Sequence, residues 1–354
     1  MISLVVVSYR SAPLAARAVA SVREAARALG EALEVVTVVN SGDAAEAAAL
    51  APISDRLLAP ESNLGFAGGL NRGIAASTGD VLALANPDVE LDAPALAALL
   101  GALKLHDRAA AGPAYYWDDA RTLLLPAVEE PRPADLVRRL LAANPERGAR
   151  VFRRDLTRAR RELARSRVGE TARVSGLIGA LVLTRRATLE AVGAFDEGYA
   201  LYYEENDWQR RLKTLGGVLF RAGGARVVHR FNQSARTEPR ASQWFARSER
   251  RYFASHFGAR GVRALDALAA APGHAIPLRA LDGPLRWTGP AAGVVLSPHP
   301  FFRPFAYTEP EESAEEWDVP ADVLRGLDGT WYVRAVDGSG HPLAEGSFAV
   351  SPPS

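Results

Sequence analysis

From Ile2 to Leu105 short apolar strands alternate with longer helical patterns, and this alternation most limits what the chain can fold into. Ile2–Ser8, Leu33–Asn40, Asp55–Ala59 and Val81–Ala85 read as strands. Ala12–Leu29, Asp43–Leu50, Ala67–Ala76 and Ala93–Leu105 read as helices, the last with Asp92 as its cap. Strands joined through helices pair in a mostly parallel sheet with right-handed crossovers, so the predicted class is α/β. Ligands of such sheets bind beyond the carboxyl ends of the strands. Ser8-Tyr9, Asn40-Ser41 and Asp88 fall at those ends and bring polar groups from three strands to one edge.

At 354 residues the chain exceeds one ordinary domain. The alternation is interrupted by a basic helical insert, residues 126–171, broken at Pro131, Pro133 and Pro145. Val174–Leu183 returns to strand character, and Leu189–Phe195 and Trp208–Leu215 read as helices. From about Gly273 apolar runs are short and punctuated by Pro, Gly and Asp, with Asp337-Gly338 at a turn between two of them. This predicts a small C-terminal all-β domain over 273–354, of sandwich type, with Trp317, Trp331 and Tyr332 as core or ligand-stacking aromatics.

Hydrophobic residues make up 48% of the chain, enough for a substantial core, and there is no cysteine, which excludes disulfides and thiolate metal sites. The net charge of +1 hides an uneven distribution. Residues 132–173 hold 13 Arg against 5 acidic residues, and 305–354 hold 10 acidic residues against 2 Arg. The basic arm suits an anionic lipid surface or a diphosphate-bearing acceptor, its alternative being an ordinary solvated helix face. No nucleic-acid partner is expected. The opening strand has no basic leader or cleavage site, and no run of 18 apolar residues occurs. The expected location is the cytoplasm, with peripheral contact at the inner face of the membrane.

Three segments carry chemistry. Asn63-Leu64-Gly65-Phe66-Ala67-Gly68-Gly69-Leu70-Asn71-Arg72-Gly73 is a glycine-rich helix start, expected to offer backbone amides to an anion. Leu84-Ala85-Asn86-Pro87-Asp88 ends a buried strand in a carboxylate suited to a divalent cation beside that anion. Tyr202-Tyr203-Glu204-Glu205-Asn206-Asp207 crowds carboxylates at a helix start, where crowding raises the proton affinity of one of them. His229, after the apolar run Val227-Val228, adds an imidazole.

These segments, in this order after a strand ending Val7-Ser8-Tyr9, resemble the inverting family-2 glycosyltransferases, and most closely their rhamnosyltransferase-like branch. The resemblance runs over about residues 1–262 and implies a GT-A-type mixed sheet flanked by helices. It implies transfer of a sugar, with L-rhamnose as the best guess, from a nucleotide-sugar to a glycan, a lipid-linked or a small-molecule acceptor in polysaccharide biosynthesis. It implies Mn2+ or Mg2+ held by Asp88, the last position of Asn86-Pro87-Asp88 in place of the family's DXD, with His229 from a His-x-x-x-x-Ser ending at Ser234. Glu205 falls at the position of the catalytic base, where the family more often has Asp, with Asp207 and Arg211 as neighbouring site residues and Glu204 as the next candidate. Ser8, Tyr9, Arg10, Asn40, Gly65, Phe66, Asn71 and Asp88 are assigned to the donor. Glu204, Trp208 and Arg211 are assigned to the acceptor, with Trp208 and the Tyr202-Tyr203 pair as an aromatic wall or as packing. Val39 stands where the family has a base-reading Asp, which leaves the nucleotide to Asn40, Asp43 or backbone groups.

Two other classes compete. A sugar nucleotidyltransferase needs a glycine-rich basic loop after the first strand, and Ser8-Tyr9-Arg10-Ser11-Ala12-Pro13 has no glycine. A non-catalytic carbohydrate-binding protein has no need of both Glu205 and Asp88. A processive synthase is disfavoured by the missing membrane spans and the missing Gln-x-x-Arg-Trp motif.

Overall fold

The computed structural model describes residues 1–142, 145–230, 240–269, 278–300 and 302–351. The elements in chain order are β1 (Ile2–Ser8), α1 (Ala12–Leu29), β2 (Leu33–Val39), α2 (Ala44–Leu50), β3 (Arg56–Leu58), α3 (Gly65–Ala76), β4 (Val81–Ala85), β5 (Val89–Glu90), α4 (Ala93–Leu103), β6 (Ala109–Tyr116), β7 (Leu124–Leu125), α5 (Pro133–Ala142) and α6 (Pro145–Arg167). They continue with β8 (Thr171–Val174), β9 (Leu181–Arg185), α7 (Arg186–Val192), α8 (Glu204–Thr214), β10 (Val218–His229), α9 (Ala241–Ala269), β11 (Leu285–Arg286), β12 (Gly293–Ser297), β13 (Ala306–Thr308), β14 (Glu316–Trp317), α10 (Ala321–Leu324), β15 (Gly329–Val336) and β16 (Pro342–Val350). They group into two units. The first takes residues 1–114, 127–131 and 165–262, and the second takes 115–126, 132–164 and 263–354.

The first unit is a mixed α/β sheet flanked by helices, as the sequence predicts. Its strand order is β6-β9-β4-β1-β2-β3. The strands β4, β1, β2 and β3 run parallel, and β9 is antiparallel to β4. Val5, Val7, Val36, Val38, Leu82 and Leu84 come from strands buried on both faces, which explains their near-continuous apolar runs. Asp92 caps α4 by accepting from the Ala95 amide at 3.0 Å, and Asp43 caps α2 through the Ala45 amide at 2.7 Å. The glycines of α3 serve packing. A Cβ at Gly69 would stand 2.8 Å from Val7 Cγ1, and one at Gly73 would overlap Val5, so only glycine lets α3 lie directly on β1.

The run 174–183 reads as one strand but is not one. Residues 175–180 leave the sheet, and among them Leu177 has its backbone paired by the Gln209 side chain. Its amide nitrogen donates to the Leu177 carbonyl at 2.9 Å and its oxygen accepts from the Leu177 amide at 2.7 Å.

The second unit takes in more of the chain than residues 273–354. Its antiparallel strands run β16-β15-β12-β13-β7, and it also holds α5, most of α6, and α10. A single sheet exposes an apolar face that must be covered. Val151, Phe152, Leu156, Ala159 and Leu163 of α6 are buried, and Phe152 packs on Phe302 and Phe305. Charged residues of the basic arm are used inside this unit. Arg160 donates to the carbonyls of Gly338 and Asp337 at 2.6 and 2.8 Å, and Arg303 pairs with Asp155 at 3.0 Å. The basic arm and the acidic tail, read as separate regions of opposite charge, therefore fold largely into one unit. Trp331 is a core residue, edge-on to Trp117.

Candidate functional site

A cleft of about 230 Å³ opens in the first unit, walled by segments from opposite ends of its sequence. Tyr9 follows β1, Asn40 follows β2, and Asn63, Gly65 and Phe66 surround the start of α3. Asn86, Pro87 and Asp88 follow β4, and Ile178, Gly179 and Ala180 precede β9. Leu201, Tyr202, Glu204 and Glu205 come from the α8 start, His229 ends β10 and Trp244 lies on α9. Of the residues assigned from the sequence, Tyr9, Asn40, Gly65, Phe66, Asp88, Glu204, Glu205 and His229 meet here.

Asp88 and His229 are joined by strand pairing. β10 runs antiparallel to β5 with His229 opposite Val89, which sets the imidazole Nε2 3.5 Å from Asp88 Oδ1. Both side chains are buried, and Asp88 Oδ1 has no hydrogen-bond partner. A buried carboxylate oxygen left so costs about 1–3 kcal/mol unless something fills its coordination. A hard oxygen beside an imidazole, both facing the cleft, fits a divalent cation. Among the described residues no three His, Asp or Glu side chains converge into a ligand set. A cation there would find two protein ligands among the described residues, Asp88 and His229.

Glu204 and Glu205 open α8, and the two residues before them are backbone outliers. Tyr202 has φ of 66° and Tyr203 of 71°. Two bulky residues in the left-handed region carry strain of order 1–3 kcal/mol each, which persists only where neighbours impose it. Here the Tyr203 hydroxyl donates to Glu249 of α9 at 2.7 Å, and its ring packs on Phe245 and Tyr252. The turn directs both carboxylates inward. Burial, then the charge of Glu205, raises the Glu204 carboxyl well above the ordinary range. Burial raises Glu205 as well, against backbone hydrogen bonds that oppose it. Burial and the charges of Glu204, Glu205 and Asp88 push the Tyr202 phenol up to about 12, so it stays neutral. Gly179 lies against Glu205, where a Cβ would stand 2.9 Å from Glu205 Cγ.

Several assignments change. The helix start does not offer its first amides to an anion. Leu64 N–H donates to Asn40 Oδ1, Gly65 N–H to Asn63 Oδ1 and Phe66 N–H to the Ala200 carbonyl, at 2.9, 2.9 and 3.0 Å. Asn40 also donates to Asn63 and Gly65, so it shapes the wall and has little capacity left to read a base. Asn71 ties α3 to the segment before α8 through Phe195 and Glu197, outside the cleft. Ser8 is buried and bonded to Glu46. Arg10 is exposed, with its guanidinium over the Tyr9 ring. Trp208 is 1% exposed and stacked on Phe195, so its role is packing, and Trp244 supplies the cleft's indole instead. Asp207 spends both oxygens on Arg211 and His256, at 2.9 and 2.8 Å. Arg211 also donates to the Val192 and Ala194 carbonyls, so this pair braces α8 away from the cleft. Ser234 lies outside the described residues.

Residues 3–170 match the family model described as Glycosyl transferase family 2, a little under half of the chain, and the enzyme class this gives is glycosyltransferase. No curated protein matches. Solved structures similar to the chain include the mannosyltransferase PcManGT from Pyrobaculum calidifontis in complex with GDP-Man and Mn2+, at 17% identity and TM-score 0.41, covering 77% of this chain and 76% of that one. They also include GalNAc-T7 with UDP, GalNAc and Mn2+, at 13% identity and TM-score 0.46, covering 99% of this chain and 71% of that one.

Proposed function

We propose that the chain transfers a sugar from a nucleoside-diphosphate donor to an acceptor hydroxyl with inversion at the anomeric carbon. The observation that carries this is the meeting, in one cleft, of the carboxylate–imidazole pair Asp88/His229 with the paired carboxylates Glu204 and Glu205. Glu205 takes the proton from the acceptor hydroxyl, and a general base placed this way contributes about 10²–10⁴-fold. Glu204, the more deeply buried, keeps a proton and leaves the negative charge on its neighbour, since two adjacent carboxylates in such a site do not both ionise. Asp88 and His229 hold Mn2+ or Mg2+, which when bound neutralises charge on the departing diphosphate. Tyr9 offers a ring to the nucleoside, and Tyr202 with Trp244 offers an aromatic wall to the acceptor.

The donor best matching the family resemblance is dTDP-L-rhamnose, with UDP-sugars next, and the acceptor is a glycan or lipid-linked saccharide. Peripheral contact with an anionic membrane is supported by the arginines that α6 leaves exposed, Arg147, Arg150, Arg154 and Arg161. No helix among the described residues is long and apolar enough to cross a membrane.

The test is a melting-temperature screen of dTDP-, UDP- and GDP-sugars with and without Mn2+. A ligand at 100 times its Kd adds about 2.7 kcal/mol. A shift that needs Mn2+, followed by release of nucleoside diphosphate in the presence of acceptor, is expected. Stabilisation by a nucleoside triphosphate together with a sugar 1-phosphate, and by no nucleotide-sugar, overturns the reading in favour of a nucleotidyltransferase.

A further inference from the structure

Glu46 belongs to the first turn of α2, where a surface glutamate is expected, yet it is 6% exposed. Its two oxygens accept four hydrogen bonds from two separate segments. Oε1 accepts from Ser8 Oγ at 2.6 Å and the Ser11 amide at 2.8 Å. Oε2 accepts from the Arg10 amide at 2.9 Å and Ser41 Oγ at 2.5 Å. Three of these donors flank Tyr9 in the loop after β1, and the fourth follows Asn40 at the end of β2. Tyr9 and Asn40 both line the cleft. The loop needs such a fastening, because Arg10 has φ of 52°, a left-handed conformation that costs about 1–3 kcal/mol in a non-glycine residue.

From this geometry we infer that Glu46 is a positioning residue for the donor. It fastens the Ser8–Ser11 loop to the end of β2 and so fixes where the Tyr9 ring stands in the cleft. This deepens the glycosyltransferase reading and rests on it. Glu46 touches neither donor nor acceptor; it acts through Tyr9. An ordinary structural carboxylate would affect stability alone, whereas this one sets how well the nucleoside half of the donor is held. Charge-assisted bonds to backbone amides fit that task, being shorter and stronger than neutral ones.

Glu46→Gln keeps the shape but replaces one acceptor oxygen with an NH2 that faces donors already in place. The full chain and two variants, Glu46→Gln and the milder Ser41→Ala, are titrated with dTDP, UDP and GDP plus Mn2+, and steady-state rates are measured with the donor selected by the screen. Expected is a rise of about tenfold or more in nucleotide Kd and donor KM for Glu46→Gln, and a smaller rise for Ser41→Ala. The rate at saturating donor should stay within a few-fold of wild type. Glu46→Asp, which keeps the charge, should recover part of the affinity. Unchanged nucleotide Kd in either folded variant overturns the clamp while the functional reading stands. A fall in saturated rate at unchanged KM also overturns it, since the loop would then serve the chemical step. Should Glu46→Gln not fold, Ser41→Ala alone decides between these outcomes. Wild-type protein that binds none of the three nucleotides overturns the functional reading and the clamp with it.

Discussion

Glu46 and the Glu204–Glu205 pair are all carboxylates withdrawn from water in the same unit, and their proton affinities shift in opposite directions. Burial pushes Glu46 upward, but hydrogen bonds from Ser41, Ser8, Ser11 and Arg10 outweigh it and hold the carboxyl below its ordinary range. Around Glu204 and Glu205 hydrogen bonds oppose burial without offsetting it. One oxygen of each has no hydrogen-bond partner, and burial wins. The proton affinity of a buried acid is set by the balance between its depth and the N–H and O–H groups aimed at it. The proposed clamp rests on the first setting, and the proposed general base on the second.

The largest effect that tests this contrast is Glu205→Gln. Turnover should fall about 10²–10⁴-fold with donor affinity near normal, read from steady-state kinetics and nucleotide titration. If Glu204→Gln proves the damaging change and Glu205→Gln is mild, the base is Glu204 and the roles within the pair are reversed. Asp88→Ala extends the contrast to a third acid, one whose buried oxygen has no hydrogen-bond partner. It should abolish the Mn2+-dependent part of donor binding while the far-ultraviolet circular dichroism stays unchanged. Equal nucleoside-diphosphate affinity with and without Mn2+ in both wild type and variant would remove Asp88 from metal binding.

Stability against pH gives a paired test of opposite sign. Glu204 has a raised value in the folded chain, so the folded state binds its proton more tightly than the unfolded state. Its favourable contribution is complete below the ordinary glutamate range and is lost as pH rises toward the raised value. Glu204→Gln should therefore melt higher than wild type at pH 7, by about 2–4 °C per kcal/mol, with the advantage closing toward pH 4. Glu46 has a lowered value, so its contribution is complete above the ordinary range and is lost as pH falls through the lowered one. Glu46→Gln should melt lower than wild type at pH 7, and that deficit should shrink with acid. Two melting curves that move the same way with pH would break the comparison. The smallest effect belongs to charges left in water. Replacing Arg150, Arg154 and Arg161 with Gln should weaken low-salt binding to anionic liposomes and leave donor affinity unchanged, because exposed charges are screened within about 10 Å at 0.1 M salt.

The sequence was legible where the signal is local. Strand periodicity, the Asp43 and Asp92 caps and the carboxylate after β4 needed no partner to be recognised, and the acidic block at the start of α8 declared itself by crowding. Long-range pairings were not legible. Glu46 reads as an ordinary first-turn acid until Ser8, Ser11 and Ser41 are brought around it, although three serines at two strand ends were a usable sign. Residues 175–180 look like a strand because they sit in an apolar run, and nothing local in the sequence shows that the Gln209 side chain pairs with the Leu177 backbone. Trp208 reads as a cleft residue because an indole near an acidic block looks alike in a core and in a cleft. The apolar residues of α6 recur at helical spacing, but nothing in 132–164 names the C-terminal strands they cover.

The close seating of α3 on β1 bears on how this enzyme can change. Gly69 and Gly73 leave no room for side chains, so nearly any substitution there forces a helix and a strand apart. Elsewhere the cleft lining is a patchwork that includes Ile178, Tyr202 and Trp244, each on a separate segment. A library aimed at new substrates should draw its survivors from that patchwork, while the glycine helix stays invariant among them. Inheritance and laboratory selection then meet the same asymmetry: part of the cleft lining is free to drift, and the glycine helix carries the memory of the fold.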